Sequence, residues 1–319
     1  MSRFQKSRAK GFTINGWLVL DKIQGMTSTQ AVGMGKRILQ ARKAGHAGTL
    51  DPLATGILPI AFGEATKTVP YVVGGAKAYR FTVRWGEERD TDDAEGRIIQ
   101  ESPERPAQPA IEAACHSFLG EILQTPPKFS AIKIDGERAY DLARDGEHVE
   151  LQARPVVIDK LVLVDMPDPS TSVFEAECGK GTYVRAIARD MGRMLGCLGH
   201  VIQLRRTRVG PFDEAQAVTV EQLHAAADRA MTPEGPNAEG VAAMRALLQP
   251  VEAALGDLPG LDFNSVEVSR LKRGQSVLLR GRDAPVFTGQ AYALSRGHLI
   301  AIGEVGQGEF MPTRVFNYD

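Results

Sequence analysis

Residues 45–56 read GHAGTLDPLATG, a string in which one carboxylate, Asp51, is ringed by residues that shape backbone rather than fill a core. Three glycines and Pro52 make this a shaped loop. A carboxylate presented by such a loop can serve as a nucleophile or a base, or it can simply cap the backbone ahead of Pro52. His46 sits beside it in sequence. A second string, KGTYVRAIARDMG (residues 180–192), puts Arg185 at the start of a predicted helix. The positive end of a helix is a poor place for a cation, so an anion nearby would relieve the conflict. In KAYRFTVRWG (residues 77–86), Tyr79 heads an alternating row with Phe81, Val83 and Trp85. Its ring is either a core aromatic or a wall against which a flat ligand lies. Neither a GxxxxGK[ST] loop nor a GxGxxG turn occurs, so nucleotide-cofactor chemistry has no motif to rest on.

The elements that must position these residues follow from periodicity. Trp17 to Leu20 predicts a strand running into a turn at Asp21, Lys22 and Gly25. Thr27 or Ser28 caps a helix over about Thr29–Ala41, with Val32, Ile38 and Leu39 facing inward. Ile57–Phe62 reads as a buried strand, Tyr79–Trp85 as a half-buried one, and Val156–Val164 and Val173–Cys178 as two more. Ile111–Leu119 is helical. The helix over Thr182–Leu195 buries Val184, Ile187, Ala188, Met191 and Leu195, while Arg185, Arg189 and Arg193 recur on another face; Gly181 and Thr182 supply its turn and cap. Residues 231–240, MTPEGPNAEG, predict a linker or long loop, and a helix to about Leu255 follows. Beyond it, Val266 with Val268, Val277–Leu279, Val286 with Phe287, Ala291–Leu294, His298–Ile302 and Thr313–Phe316 are short strand candidates, which suggests an all-β module. The earlier elements do not alternate as βαβ, so α+β is the expected class.

Composition sets the bounds. The 319 residues carry 38 Lys+Arg against 39 Asp+Glu, a net charge of -1, which excludes binding of nucleic acid through global basicity. Local basic clusters remain, among them Lys36, Arg37, Arg42 and Lys43; Arg205, Arg206 and Arg208; and Lys272, Arg273, Arg280 and Arg282. The acidic run Glu87, Glu88, Asp90, Asp92 and Asp93 is expected to lie away from them. Cys115, Cys178 and Cys197 form no CxxC pair, so neither a zinc site nor a disulfide framework is expected and a reducing, cytoplasmic setting fits. Met1–Lys10 is basic with no apolar stretch behind it, and no run of about 18 apolar residues occurs, so neither a secretory signal nor a membrane span is expected.

Taken together, the strings resemble the TruB-type tRNA pseudouridine-55 synthases. GWLVLDKIQGMTS is similar to that family's N-terminal motif, GHAGTLDPLATG to its catalytic motif, KAYRFTVRWG to its tyrosine strand, KGTYVRAIARDMG to its arginine motif, and HVIQLRRTRVGPF to a following motif with an active-site leucine. Ile23 and Ala47 stand where many members have proline and threonine, which touches loop detail only. The resemblance implies a pseudouridine synthase fold over residues 1–250, a mixed, largely antiparallel sheet flanked by helices. It also implies a thumb-like insertion at about 125–146 and a C-terminal PUA-like RNA-binding domain over 256–319. It implies that Asp51 starts the isomerisation of uridine 55 in the T arm of tRNA, that Arg185 pairs with it, and that Tyr79 lies against a flipped base and helps remove the C5 proton. His46 would fill the vacated space, Leu204 would pack on the base and Tyr183 would line the pocket. Lys22 and Lys67 would contact phosphate or support the site. No cofactor, metal, membrane or obligatory protein partner is implied, and a monomer fits.

The reaction suits these residues. Breaking the C1′–N1 bond, turning the uracil and joining C1′ to C5 oxidises nothing and adds no group. An anion must begin it, and attack on C1′ or removal of the C2′ proton both meet that need. Three other readings compete: a guide-RNA-dependent synthase, an RNA chaperone with a vestigial site, and a metabolic enzyme unrelated to RNA. The plain VFNYD ending, the intact Asp51, Tyr79 and Arg185, and the β-rich tail with its basic clusters count against them in turn.

Overall fold

The computed structural model describes residues 14–130, 151–230, 237–256, 258–279 and 287–318, and the backbone of four two-residue strands at 133–134, 137–138, 231–232 and 235–236. From the N-terminus, β1 (Gly16–Lys22), β2 (Ala44–His46), β3 (Thr55–Phe62) and β4 (Lys77–Trp85) lead into a separate hairpin, β5 (Glu87–Arg89) with β6 (Ile98–Glu101). Then come β7 (Gly120–Gln124), the pair β8 (Lys133–Ile134) and β9 (Glu137–Arg138), β10 (Arg154–Asp168), β11 (Thr171–Cys178), β12 (Gly199–Val209) and β13 (Phe212–Asp213). The central sheet runs β1-β3-β12-β4-β11-β10-β7, with β2 added to β3 and β13 to β12. All its pairings are antiparallel except β3 with β12, which meet in parallel at Thr55↔Arg205 and Gly56↔Arg206. This is the mixed, largely antiparallel sheet of an α+β fold.

β1 and β3 are buried along both faces, and alternation divides their residues between two cores. Leu18, Leu20, Leu58, Ile60 and Phe62 enter one; Trp17, Val19, Ile57 and Ala61 enter the other. A strand covered on both sides needs a continuous apolar run, and both strands have one. The first core is closed by α1 (Ser28–Ile38), α3 (Gln108–Ser117), α4 (Val184–Met194), α5 (Val220–Ala230) and α6 (Ala238–Ala246); α2 (Val69–Gly74) packs on the second. On β4, Tyr79, Phe81, Val83 and Trp85 all point into the first core, where Phe81 stacks on Phe174 with ring centroids 5.3 Å apart. The buried indole nitrogens are satisfied: Trp17 donates to Thr68 Oγ1 and Trp85 to Ser172 Oγ. The three thiols, Cys115, Cys178 and Cys197, are buried and unpaired.

Several local expectations need correction. In α1 the cap is Thr27, which forms a capping box with Gln30, but the inward residues are Ala31, Met34 and Gly35 together with Leu39; Val32 and Ile38 sit only at the margin of the core. In α4 the N-cap is Tyr183, not Thr182, and its side chain makes no cap bond; Gln124 Oε1 accepts from Tyr183 N instead. α5 had no counterpart in the periodicity reading. Within 231–240 a strand pair, β14 (Met231–Thr232) with β15 (Gly235–Pro236), precedes α6, which ends at Ala246 rather than near Leu255.

The C-terminal sheet contains β16 (Gly260–Asp262), β17 (Val277–Leu278), β18 (Gly289–Ser295), β19 (His298–Gly306) and β20 (Glu309–Val315), in the order β16-β18-β19-β20-β17. Val266 and Val268 are not strand residues. They belong to α7 (Ser265–Leu271), because Asn264 caps Val266 N and Glu267 N while Glu267 returns a bond to Asn264 N. One face of this sheet has its own core around Phe263, Leu271 and Phe310. Leu299, Ile302 and Phe316 instead join Trp17, Val19, Val251 and Leu255. Val286 and most of the segment 125–146 lie outside the described residues, as does Met1–Lys10. Among the described residues no helix is long and apolar enough to cross a membrane.

Candidate active site

The loop between β2 and β3 is pinned from several sides before any ligand arrives. Ser28 Oγ, at the start of α1, donates to Leu50 O at 3.0 Å and accepts from Leu50 N at 2.9 Å. Gly25 N donates to Pro52 O at 2.8 Å, and Ala47 N to Pro59 O at 2.9 Å. Lys22, fully buried, donates from Nζ to Ile23 O, Met26 O and Pro52 O. Burial pushes its ammonium pKa down to about 8, with the Asp51 carboxylate pulling the other way. Lys22 is therefore a support of the loop, with its donors turned inward rather than out towards phosphate.

Asp51 emerges from this loop into a cleft of about 270 Å³. Arg185 Nη2 meets Asp51 Oδ2 at 3.0 Å. The guanidinium is itself buried and held by three further contacts: Nη1 to Asp93 Oδ2 at 3.2 Å, Nη1 to Thr91 O at 2.9 Å and Nη2 to Phe129 O at 3.0 Å. The conflict between a cation and a helix N-terminus is thus resolved by two carboxylates, one of them unforeseen. The remaining arginines of α4 repeat the pattern. Arg189 pairs with Asp92 at 2.8 Å and donates to Thr125 O at 2.7 Å, and Arg193 takes Glu88. The acidic run of residues 87–93 is therefore not remote from the site; it is the seam beneath α4. The signal was present in sequence, because arginines at a spacing of four on one helix face need three acids, and residues 88, 92 and 93 supply them.

Tyr79, Tyr183 and Leu204 line the same cleft as Asp51 and Arg185. Burial pushes the Tyr79 hydroxyl up from its ordinary pKa, while the Arg206 guanidinium beside it opposes the shift. Leu204 faces Phe81 across the β12–β4 pairing, so two neighbouring strands deliver the leucine and the tyrosine to one wall. Lys77 also borders the cleft, but its Nζ is used by Val73 O and Gly75 O.

Besides Lys22, two further expected residues lie outside the cleft lining. His46 is on β2, opposite Ile60, and half buried outside the cleft lining; burial, and then Arg206, push its pKa down. Lys67 is at the junction with the C-terminal sheet, bonded to Glu64 Oε2 at 2.6 Å and Val315 O at 2.8 Å, with its ammonium 5.5 Å from the Phe316 ring centroid. A lysine so engaged supports the junction and takes no part in the cleft. A larger cavity, about 440 Å³, opens near Gln249, His298 and Tyr318 and contains none of the expected residues.

Comparisons with known proteins agree with this geometry. The family described as TruB family pseudouridylate synthase (N terminal domain) matches residues 36–184, and tRNA pseudouridylate synthase B C-terminal domain matches 185–256, so the last sheet lies beyond both. A protein of Rhodopseudomonas palustris named tRNA pseudouridine synthase B is 59% identical over 312 residues, 98% of this chain and 83% of that one. Its namesake from Agrobacterium fabrum is 55% identical over 312 residues, covering 98% of each. In fold, the chain is similar to the crystal structure of a Cbf5-Nop10-Gar1 complex, with a TM-score of 0.72 at 24% identity over 96% of this chain and 85% of that one. The chain belongs to the TruB family of pseudouridylate synthases.

Proposed function

We propose that this protein converts uridine 55 in the T arm of tRNA to pseudouridine, taking the nucleotide out of the helix and beginning the reaction at Asp51. The observation that carries the reading is the Asp51–Arg185 pair, 3.0 Å long, at the mouth of a cleft walled by Tyr79 and Leu204. At about 270 Å³ the cleft falls just below the roughly 300–1,000 Å³ of ordinary ligand sites, which suits one base and excludes a duplex, so the target must be extruded. An entering nucleotide strips water from Asp51, and a carboxylate that loses its water needs another partner for its charge. Arg185, already fixed by Asp93 and two carbonyls, is that partner without having to reorganise. The Tyr79 ring supplies a face for the uracil, a contact worth about 1–3 kcal/mol. After the base turns, the Tyr79 hydroxyl relays the C5 proton, taking it up as its own proton passes to solvent.

The same reading makes residues 1–250 the catalytic part, residues 125–146 the thumb over the RNA, and residues 256–319 a PUA-like contact to tRNA. It describes a cytoplasmic monomer that needs no protein partner.

Purified protein alone is expected to release tritium from uracil C5 of unmodified tRNA. Asp51→Asn is expected to abolish release while tRNA binding survives. Release that depends on an added guide RNA would redirect the reading to a guided enzyme, and binding without release by the unaltered protein would defeat it.

A further inference from the structure

Arg206 stands against the loop that carries Asp51. It is 1% exposed. Nε donates to Ile57 O at 2.8 Å, Nη1 to Thr49 O at 3.1 Å and Nη2 to Gly48 O at 3.2 Å. Those carbonyls belong to the entry and the exit of one loop, so a single side chain ties its two ends together. The Arg206 backbone contributes as well. Gly56, at φ +95°, lies so close that a Cβ there would stand 2.2 Å from Arg206 O. These two residues are paired in the short parallel contact of β3 with β12. Tyr79 is the cross-strand partner of Arg206 in the β12–β4 pairing, and both residues line the cleft.

Among the described residues no carboxylate forms an ion pair with Arg206. A buried cation without such a partner is costly, and a neutral donor would serve a merely mechanical clasp at less cost. Burial lowers the guanidinium's pKa, yet arginine starts high enough to stay charged. Tyr79 and Asp51 are the groups that favour its charge, whereas His46, Lys22 and Lys77 are pressed towards their neutral forms first by burial and then by Arg206.

We infer that Arg206 is a positioning residue for the isomerisation: it locks the Asp51 loop and the Tyr79 hydroxyl into one unit, so that carboxylate and phenol meet the same base in fixed register. The inference rests on the roles given above to Asp51 and Tyr79. A guanidinium charge beside the phenol favours the orientation in which the hydroxyl's own proton points away from Arg206. It also makes that proton easier to release than it would be in an apolar wall.

The test is Arg206→Lys, which keeps the charge and loses the planar fork. The folded variant is expected to show kcat about 100-fold lower, the cost of misplacing reacting groups by about an ångström. Its tRNA Kd is expected to stay within about threefold of wild type, because only transition-state geometry changes. In a Tyr79→Phe background the same substitution is expected to cost much less, since the two residues act as a unit. Full additivity, or a folded Arg206→Lys with near-normal kcat, overturns the inference. Should Arg206→Lys fail to fold, the Nε–H resonance of Arg206 decides: it is expected to move between wild type and Tyr79→Phe, and an unmoved signal overturns the link. Wild type that releases no tritium defeats the functional reading itself, whereas normal release that is indifferent to Arg206→Lys defeats only this inference.

Discussion

Arg185 stands between two carboxylates of very different exposure: the Asp93 side chain keeps 4% of its surface and the Asp51 side chain 37%. The buried anion fixes the guanidinium, and the open anion faces the cleft. Asp93→Asn keeps the shape and removes one charge-assisted bond, worth about 1–3 kcal/mol. We expect kcat to fall roughly ten- to hundredfold with tRNA affinity nearly unchanged; single-turnover and binding assays check this, and an equal loss in both would show a role in RNA contact. Lys22 gives a pH dependence. Its folded pKa, about 8, lies below the 10.5 of an exposed lysine. Below pH 8 folded and unfolded chains both hold the proton. Between pH 8 and 10.5 the folded chain releases it first, so stability rises through that window. Relative to Lys22→Met, the wild-type unfolding free energy is expected to climb by on the order of 3 kcal/mol from pH 8 to 10.5, and a flat difference would show an ammonium that is not desolvated.

α4 delivers Arg185, and its seat is set at the other end. Gly192 packs on the turn into β12 so closely that a Cβ would lie 2.4 Å from Gly199 N. Gly192→Ala must push the helix outward. Overpacking of this kind costs about 1–3 kcal/mol, and the tilt should also reduce turnover; denaturant midpoints and kcat together test it, and an unmoved pair would mean the turn yields instead. Elements that obey one dominant pattern were legible in the sequence. From Tyr79 to Trp85 the apolar residues of β4 fall on every second position because that face meets a core, although Thr82 on the other face is buried as well, and α4 shows its stripe because the opposite side carries arginines. Legibility failed where small residues do the packing, as with Ala31 and Gly35 in α1, and where two signals compete, as in α7, whose cap outweighs the alternation of Val266 and Val268. At the site, the motifs single out Asp51, Tyr79, Arg185, Tyr183 and Leu204, and these five line one cleft. Asp93 and Arg206 were seen only as members of charge clusters, because their partners are backbone carbonyls and residues about ninety or more positions away.

Across the whole molecule, the C-terminal sheet is no loose appendage. Leu299, Ile302 and Phe316 share a core with Trp17 and Val19, and Lys67, Arg314 and Asn317 bond across the junction. Each large side chain withdrawn from that core forfeits about 1.5–3 kcal/mol. Removing the chain beyond Gly256 is therefore expected to lower the melting temperature by several degrees or more, as well as weakening tRNA affinity, with some isomerisation surviving at low temperature and saturating tRNA. A folded truncation with no activity at all would place part of the chemistry in the tail. A different consequence follows from the three cysteines. All are enclosed, and burial pushes each thiol up to about 11, so almost none is present as thiolate at neutral pH. The native chain is thus a silent background for maleimide dyes, and one new surface cysteine would give a single-site fluorescent reporter of RNA docking without first erasing the others.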